Sequence, residues 1–159
     1  MSRRLLAMAF AMLTVGRAFR ITSLPAVSTC RRALTMQASP PAIKQMTVAQ
    51  FGEILKSPEK RATYQIIDVR EPNELEVARI VGNDVLNLAL GAAAEWTPKV
   101  EAGALLEPTK PTICLCKVGM RSMRVAMFLT STAGFTDVYN VDGGINKYAN
   151  DVDPSIPMY

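Results

Sequence analysis

Residues 111–134 read PTICLCKVGMRSMRVAMFLTSTAG, and three kinds of chain follow one another within them. PTICLC (111–116) is short, apolar and partly β-branched, the pattern of a strand buried on both faces. SMRVAMFLTSTAG (122–134) sets Val125, Phe128, Leu129 and Ala133 on one side of a helix, with Gly134 where a helix ends. KVGM between them is neither. The stretch predicts a strand, a tight loop and a helix that starts at Arg121 or Ser122.

The same alternation runs outward in both directions. Thr47 with Gln50 three residues later is a capping box, and Val48, Phe51, Ile54 and Leu55 follow at helical spacing. YQIIDV (64–69) is a second buried strand, and EPNELEVARI a turn with a short helix. DVLNLAL (84–90) is a strand, and 91–110 holds helix fragments around Trp96 and a loop around Pro108. TDVYNV (136–141) is a further strand, GG a turn, and INKYAND a last helix. Short apolar strands alternating with helices predict an α/β domain with a doubly wound, mostly parallel sheet flanked by helices on both faces. Such sheets carry their sites beyond the carboxyl ends of strands, at a topological switch point. Cys116 stands at such an end.

The 159-residue chain has no histidine and three cysteines. That excludes every Ser-His or Cys-His mechanism within the chain, and makes zinc an unsuitable guest. Cys114 lies inside the strand, where burial raises a thiol's pKa. Cys116 lies where the chain leaves the sheet. Loop N–H groups can converge there on an anion, and the following helix adds its positive end. Gly119 supplies a conformation other residues resist, and Ser122 is read as the helix cap. Lowering a thiol from about 8.5 to about 6 takes about 3.4 kcal/mol. A helix end supplies about 0.3–1 kcal/mol, at most about 2. The N–H groups and the cations Lys117 and Arg121 are expected to supply the rest.

Charge divides the chain. Residues 1–52 carry seven basic residues and no acid, whereas 53–159 have a net charge of −3. The domain itself thus has no basic footprint for nucleic acid. Arg3 and Arg4 precede the apolar run LLAMAFAMLTVG, and an Arg-, Ser- and Thr-rich, acid-free stretch leads to Pro40–Pro41. We read 1–42 as a cleaved, disordered targeting presequence and 43–159 as the domain. The expected address is a plastid, read either as a single amphipathic presequence or as a bipartite one for a complex plastid, for which Ala18–Phe19 would suit the first cut, with mitochondrion as the alternative. No apolar run reaches the roughly 18 residues of a membrane span.

CKVGMRS resembles the active-site loop of rhodanese-type sulfurtransferases, written C-x-x-G-x-R-S/T. IDVREPNELE resembles their upstream D-V-R-E-P-x-E segment, and VYNVDGGINKYANDVDPSIPMY their closing strand, glycine pair, helix and tail. The likeness covers about residues 45–159 and is strongest to single-domain members of cyanobacteria and plastids. It implies a rhodanese-like fold and sulfur transfer through a persulfide on Cys116. Loop N–H groups of Lys117, Val118, Gly119, Met120, Arg121 and Ser122 would hold that persulfide, with Arg121 orienting the sulfur anion. It implies a small sulfane donor such as thiosulfate, a thiol or protein acceptor, and no metal or organic cofactor. The domain is expected to be a monomer. The alternative is a relay or interaction module that takes persulfide from a partner protein without turning over small donors.

Four residues separate Cys116 from Arg121, whereas related dual-specificity phosphatases have five; the shorter loop favours sulfur over phosphate. ARIVGND departs from the family's G-H-I-x-G-A at Ala78, Arg79 and Asn83. Asp68, Arg70 and Glu74 are expected to support the loop, Asp68 by accepting hydrogen bonds from it and Arg70 and Glu74 by pairing with each other. Trp96 is read as packing and Arg124 as a helix-surface charge. A redox pair of Cys114 and Cys116 is a further rival.

Overall fold

The computed structural model describes residues 42–82 and 84–159. The expected presequence up to residue 41, with Cys30, and the departure at Asn83 lie outside the described residues. The strands are β1 (Lys44–Met46), β2 (Gln65–Asp68), β3 (Val85–Asn87), β4 (Thr112–Leu115) and β5 (Val138–Val141). The helices are α1 (Val48–Lys56), α2 (Pro58–Thr63), α3 (Pro72–Val77), α4 (Ala93–Glu101), α5 (Met120–Ser131) and α6 (Gly144–Asp151). A 3₁₀ turn at Leu90–Ala92 leads into α4.

All five strands are parallel, in the order β1-β5-β4-β2-β3. This is the parallel, doubly wound sheet that the alternation predicts. Side chains alternate along each strand, so the two faces hold two separate cores. Ile67, Cys114, Cys116 and Val138 pack with Trp96 and Val100 of α4 and Val125 and Leu129 of α5. Ile66, Ile113, Leu115 and Val141 pack on the opposite face with Phe51 and Ile54 of α1 and Ile145 and Tyr148 of α6. The chain leaves β2 towards β3 on one side and β4 towards β5 on the other. The switch point therefore lies between the carboxyl ends of β2 and β4, where Asp68 pairs with Leu115 in register.

The capping box at Thr47 is present, with Gln50 N–H donating to the Thr47 hydroxyl. Trp96 is packing, as expected: its indole N–H donates to Ala89 O at 2.8 Å and its ring meets Phe128 edge-on. Elements that bury little escaped the sequence reading. β1 buries only Met46, and α2 buries nothing; Ser57 and Pro58 start it as cap and first residue. β3 stops at Asn87, short of the expected 84–90, because Leu90 turns into the 3₁₀ segment. Residues 93–101 form one helix rather than fragments, with Pro98 inside it.

Candidate functional site

Cys116 is the first residue past β4, and the next three make the loop. Its shape is set from the β5–α6 side. The first N–H groups of a helix have no intrahelical partner. Ile145 N–H of α6 donates to Cys116 O at 2.9 Å and Asn146 N–H to Lys117 O at 3.1 Å. Two loop carbonyls are thus held against α6. The approach is close enough to need glycine: a Cβ on Gly144, at φ +61°, would lie 2.4 Å from Cys116 O. Gly119, at φ +90°, then turns the chain into α5 as its N-cap.

With carbonyls held outward, an amide is free to point the other way. Gly119 N–H donates to Cys116 Sγ at 3.1 Å, and Ser122 Oγ lies 3.2 Å from the same sulfur. Cys116 itself is fully buried beneath the first turn of α5. A sulfur anion there meets an N–H, a hydroxyl and the positive end of a 12-residue helix. Ser122 is therefore not the cap it was read to be. It is the third residue of α5, where the hydroxyl reaches the sulfur and Asn140 Oδ1 rather than the helix end. Cys114 shares the sheet face of Cys116, fully buried, and burial pushes its thiol well up.

Asp68, Arg70 and Glu74 support the site differently from expectation. Asp68 accepts from the Arg70 side chain and backbone, at 2.6–3.1 Å, and not from the cysteine loop. Arg70 also donates to Ala78 O at 2.8 Å. Glu74 pairs with Arg121, at 2.5 and 2.6 Å, and not with Arg70. The reason is reach: a guanidinium on the residue two past Asp68 folds back on that carboxylate, while Glu74 on α3 faces the start of α5. Arg121 holds the Glu74 carboxyl down at about 2, and Glu74 in turn pushes the Arg121 pKa up. Arg121 is thus engaged by a carboxylate.

Tyr159, missed at the sequence level, joins these parts. Its hydroxyl accepts from Arg70 Nη1 and donates to Glu74 Oε1, each at 3.0 Å. Its ring lies 4.4 Å from Lys117 Nζ, a cation–π contact that occupies the loop's one lysine. Asn146 Nδ2 donates to Tyr159 O at 3.2 Å. Asn140 was missed as well. Neither has a spacing signal: one is 43 residues past Cys116 and the other looks like a polar intrusion in a strand. Val118 of the loop and Met120, the first residue of α5, are 52% and 69% exposed, and Arg124 is exposed on α5 as read. Arg79, at the departure from the family pattern, is exposed.

A family model described as rhodanese-like domain matches residues 51–151, which include β2, the cysteine loop and α6. The chain belongs to the rhodanese-like family. Over 117 residues this rhodanese-like domain is 44% identical to the chloroplastic rhodanese-like/PpiC domain-containing protein 12 of Arabidopsis thaliana, covering 74% of this chain. The chain spans only 38% of that relative's length. Among solved structures, a rhodanese-related protein from Thermoplasma volcanium is 27% identical with a TM-score of 0.53, over 73% of this chain and 99% of that one. A single-domain sulfurtransferase of Saccharomyces cerevisiae, 19% identical, shares the fold with a TM-score of 0.57 over 75% and 98% of the two chains.

Proposed function

We propose that the chain is a sulfurtransferase that carries sulfane sulfur as a persulfide on Cys116. The Cys116 thiolate attacks the outer sulfur of a donor such as thiosulfate. The donor's S–S bond breaks, sulfite leaves with its electron pair, and Cys116–S–S⁻ remains. A second nucleophile, a thiol in the cell or cyanide in an assay, takes the outer sulfur and releases the Cys116 thiolate. The observation that carries this reading is the convergence of Gly119 N–H and Ser122 Oγ on Cys116 Sγ. The loop from Lys117 to Ser122 would hold the terminal sulfur, with Arg121 set by Glu74 and with Asp68 and Arg70 bracing the neighbouring strand end. Four residues between Cys116 and Arg121 favour sulfur over a phosphate ester.

A second reading has its own support. Val118 on the loop and Met120 at the start of α5 expose apolar side chains, which suits a protein partner that gives or takes persulfide sulfur by contact. For localisation, the relative's name carries the word chloroplastic, which favours a plastid reading of the basic first 42 residues as a removable address.

The test is intact mass of the chain after thiosulfate, with and without cyanide, beside Cys116→Ser. A gain of one sulfur that cyanide removes and the variant lacks is the expected result. A folded, reduced chain that takes no sulfur from thiosulfate overturns turnover of this small donor, and the relay reading then takes its place.

A further inference from the structure

Ser122 has one hydroxyl proton and two neighbours able to take it. Its Oγ lies 3.2 Å from Cys116 Sγ and 2.7 Å from Asn140 Oδ1. Asn140 is only 3% exposed, and its Nδ2 lies 3.0 Å from Gln45 Oε1. The parallel register explains the row: Gln45 is the partner of Asn140 on one side, and Cys114 on the other. Asn140 therefore stands on the sheet face that carries α5 and Cys116, while Gln45 is exposed on the edge strand β1. The result is a single polar chain from solvent to sulfur: Gln45, Asn140, Ser122, Cys116.

A carboxamide has an acceptor at one end and a donor at the other, in nearly the same shape. The same heavy-atom positions thus serve two proton arrangements. In one, Ser122 donates to Asn140 Oδ1, Asn140 Nδ2 donates to Gln45 Oε1, and the Cys116 S–H points at Ser122 Oγ. In the other, both amides are turned over. Gln45 Nε2 donates to Asn140 Oδ1, Asn140 Nδ2 donates to Ser122 Oγ, and the Ser122 proton points at Cys116 Sγ. The first arrangement suits a thiol, which has a proton to give. The second suits a thiolate, which can only accept, through a charge-assisted bond that is stronger than the neutral one.

We propose that Asn140 and Gln45 are positioning residues that set the direction in which Ser122 donates, and so stabilise the Cys116 thiolate. No proton passes along the chain. The proton of Cys116 leaves to solvent, and the amides rotate so that every donor points towards the sulfur. The ionisable groups around Cys116 include Cys114 on its own strand, Lys117 of the loop, which lies over the Tyr159 ring, and Arg121 on α5, already engaged by Glu74 of α3. From α6 the loop meets backbone N–H groups. Gln45, Asn140 and Ser122 are uncharged, so their influence is one of orientation.

The chain's solvent end makes the test direct. Gln45→Glu leaves only an acceptor, which captures Asn140 Nδ2, turns Asn140 Oδ1 to Ser122 and withdraws the serine proton from the sulfur. Gln45→Lys leaves only donors and does the reverse. The measurement is the pH midpoint of Cys116 alkylation by iodoacetamide in the full chain, read on the Cys116 peptide. Gln45→Glu should raise the midpoint by about half a unit or more, and Gln45→Lys should lower it. Both shifts should vanish when Ser122→Ala breaks the chain, or when Asn140→Leu does, should the serine variant not fold. Equal shifts with and without the break would mean that charge acts through space. That result, or no shift in the intact chain, overturns the proposal. The inference rests on Cys116 being the reacting thiol, but alkylation needs no sulfur donor. A chain that took no sulfur from thiosulfate would still return these midpoints.

Discussion

Two arginine–carboxylate pairs stand close together at the carboxyl end of the sheet. Arg70 and Asp68 are 0% and 1% exposed; Arg121 and Glu74 are 28% and 16% exposed. Both guanidiniums meet their carboxylates through more than one nitrogen–oxygen contact. They nevertheless do different work. Arg70 spends its remaining donors on Ala78 O and the Tyr159 hydroxyl, which ties the end of β2 to the segment after α3 and to the tail. Arg121 is the second residue of α5, with part of its surface open. Burial separates a fully enclosed pair from a partly open one, and the Tyr159 hydroxyl touches both.

Breaking the buried pair should have the largest effect. Asp68→Ala leaves Arg70 charged and alone in the interior, which costs about 3–5 kcal/mol of stability in urea unfolding. A loss below about 1 kcal/mol would show that water reaches Arg70 and would erase the contrast. Breaking the open pair should instead cost activity. Glu74→Gln is expected to lower stability by no more than about 1 kcal/mol while cutting the rate of sulfur transfer about tenfold, because Arg121 loses its charged anchor. A variant with unchanged rate and lowered stability would make this pair structural too.

Acid sharpens the same comparison. Glu74 is held at about 2 against an ordinary 4.5, so its folded pKa is depressed. The stability it contributes is complete above pH 4.5 and is lost as the pH falls through that value towards 2. Thermal unfolding followed over this window should decline more steeply in the parent than in Glu74→Gln; parallel declines would refute the assignment. The smallest effect belongs to the bridge. Tyr159→Phe keeps the ring beneath Lys117 but removes the shared hydroxyl, and should cost about 0.5–1.5 kcal/mol. A cost as large as that of Asp68→Ala would make the tyrosine, rather than Asp68, the main partner of Arg70.

The order of strands and helices was legible because it is written in local pattern. Ile66–Ile67 and Ile113–Leu115 announce buried strands, Thr47 and Gln50 announce a helix start, and Gly119 and Gly134 bracket α5. Cys116 was legible for the same reason, since a strand end followed by a short glycine loop and a helix can be seen within ten residues. Partners were not legible. Proximity in sequence suggested Arg70 with Glu74, and the chain instead joined Arg70 to Asp68 and carried Glu74 across 47 residues to Arg121. Ser122 looked like a cap because caps are local, yet its hydroxyl turned to a sulfur and to an asparagine 18 residues on. β1 was invisible because an edge strand that buries one side chain has almost no hydrophobic period.

The sequence by itself determined the parallel α/β alternation, the position of Cys116 at a strand end and the family to which its loop is similar. Those depend on periodicity, glycine and short spacings, which act within a few residues. Only the tertiary structure decided which carboxylate meets which arginine, where the Ser122 hydroxyl points and what Tyr159 joins. Those depend on which strands lie side by side, and the crossovers of a doubly wound sheet bring together residues that no local spacing relates.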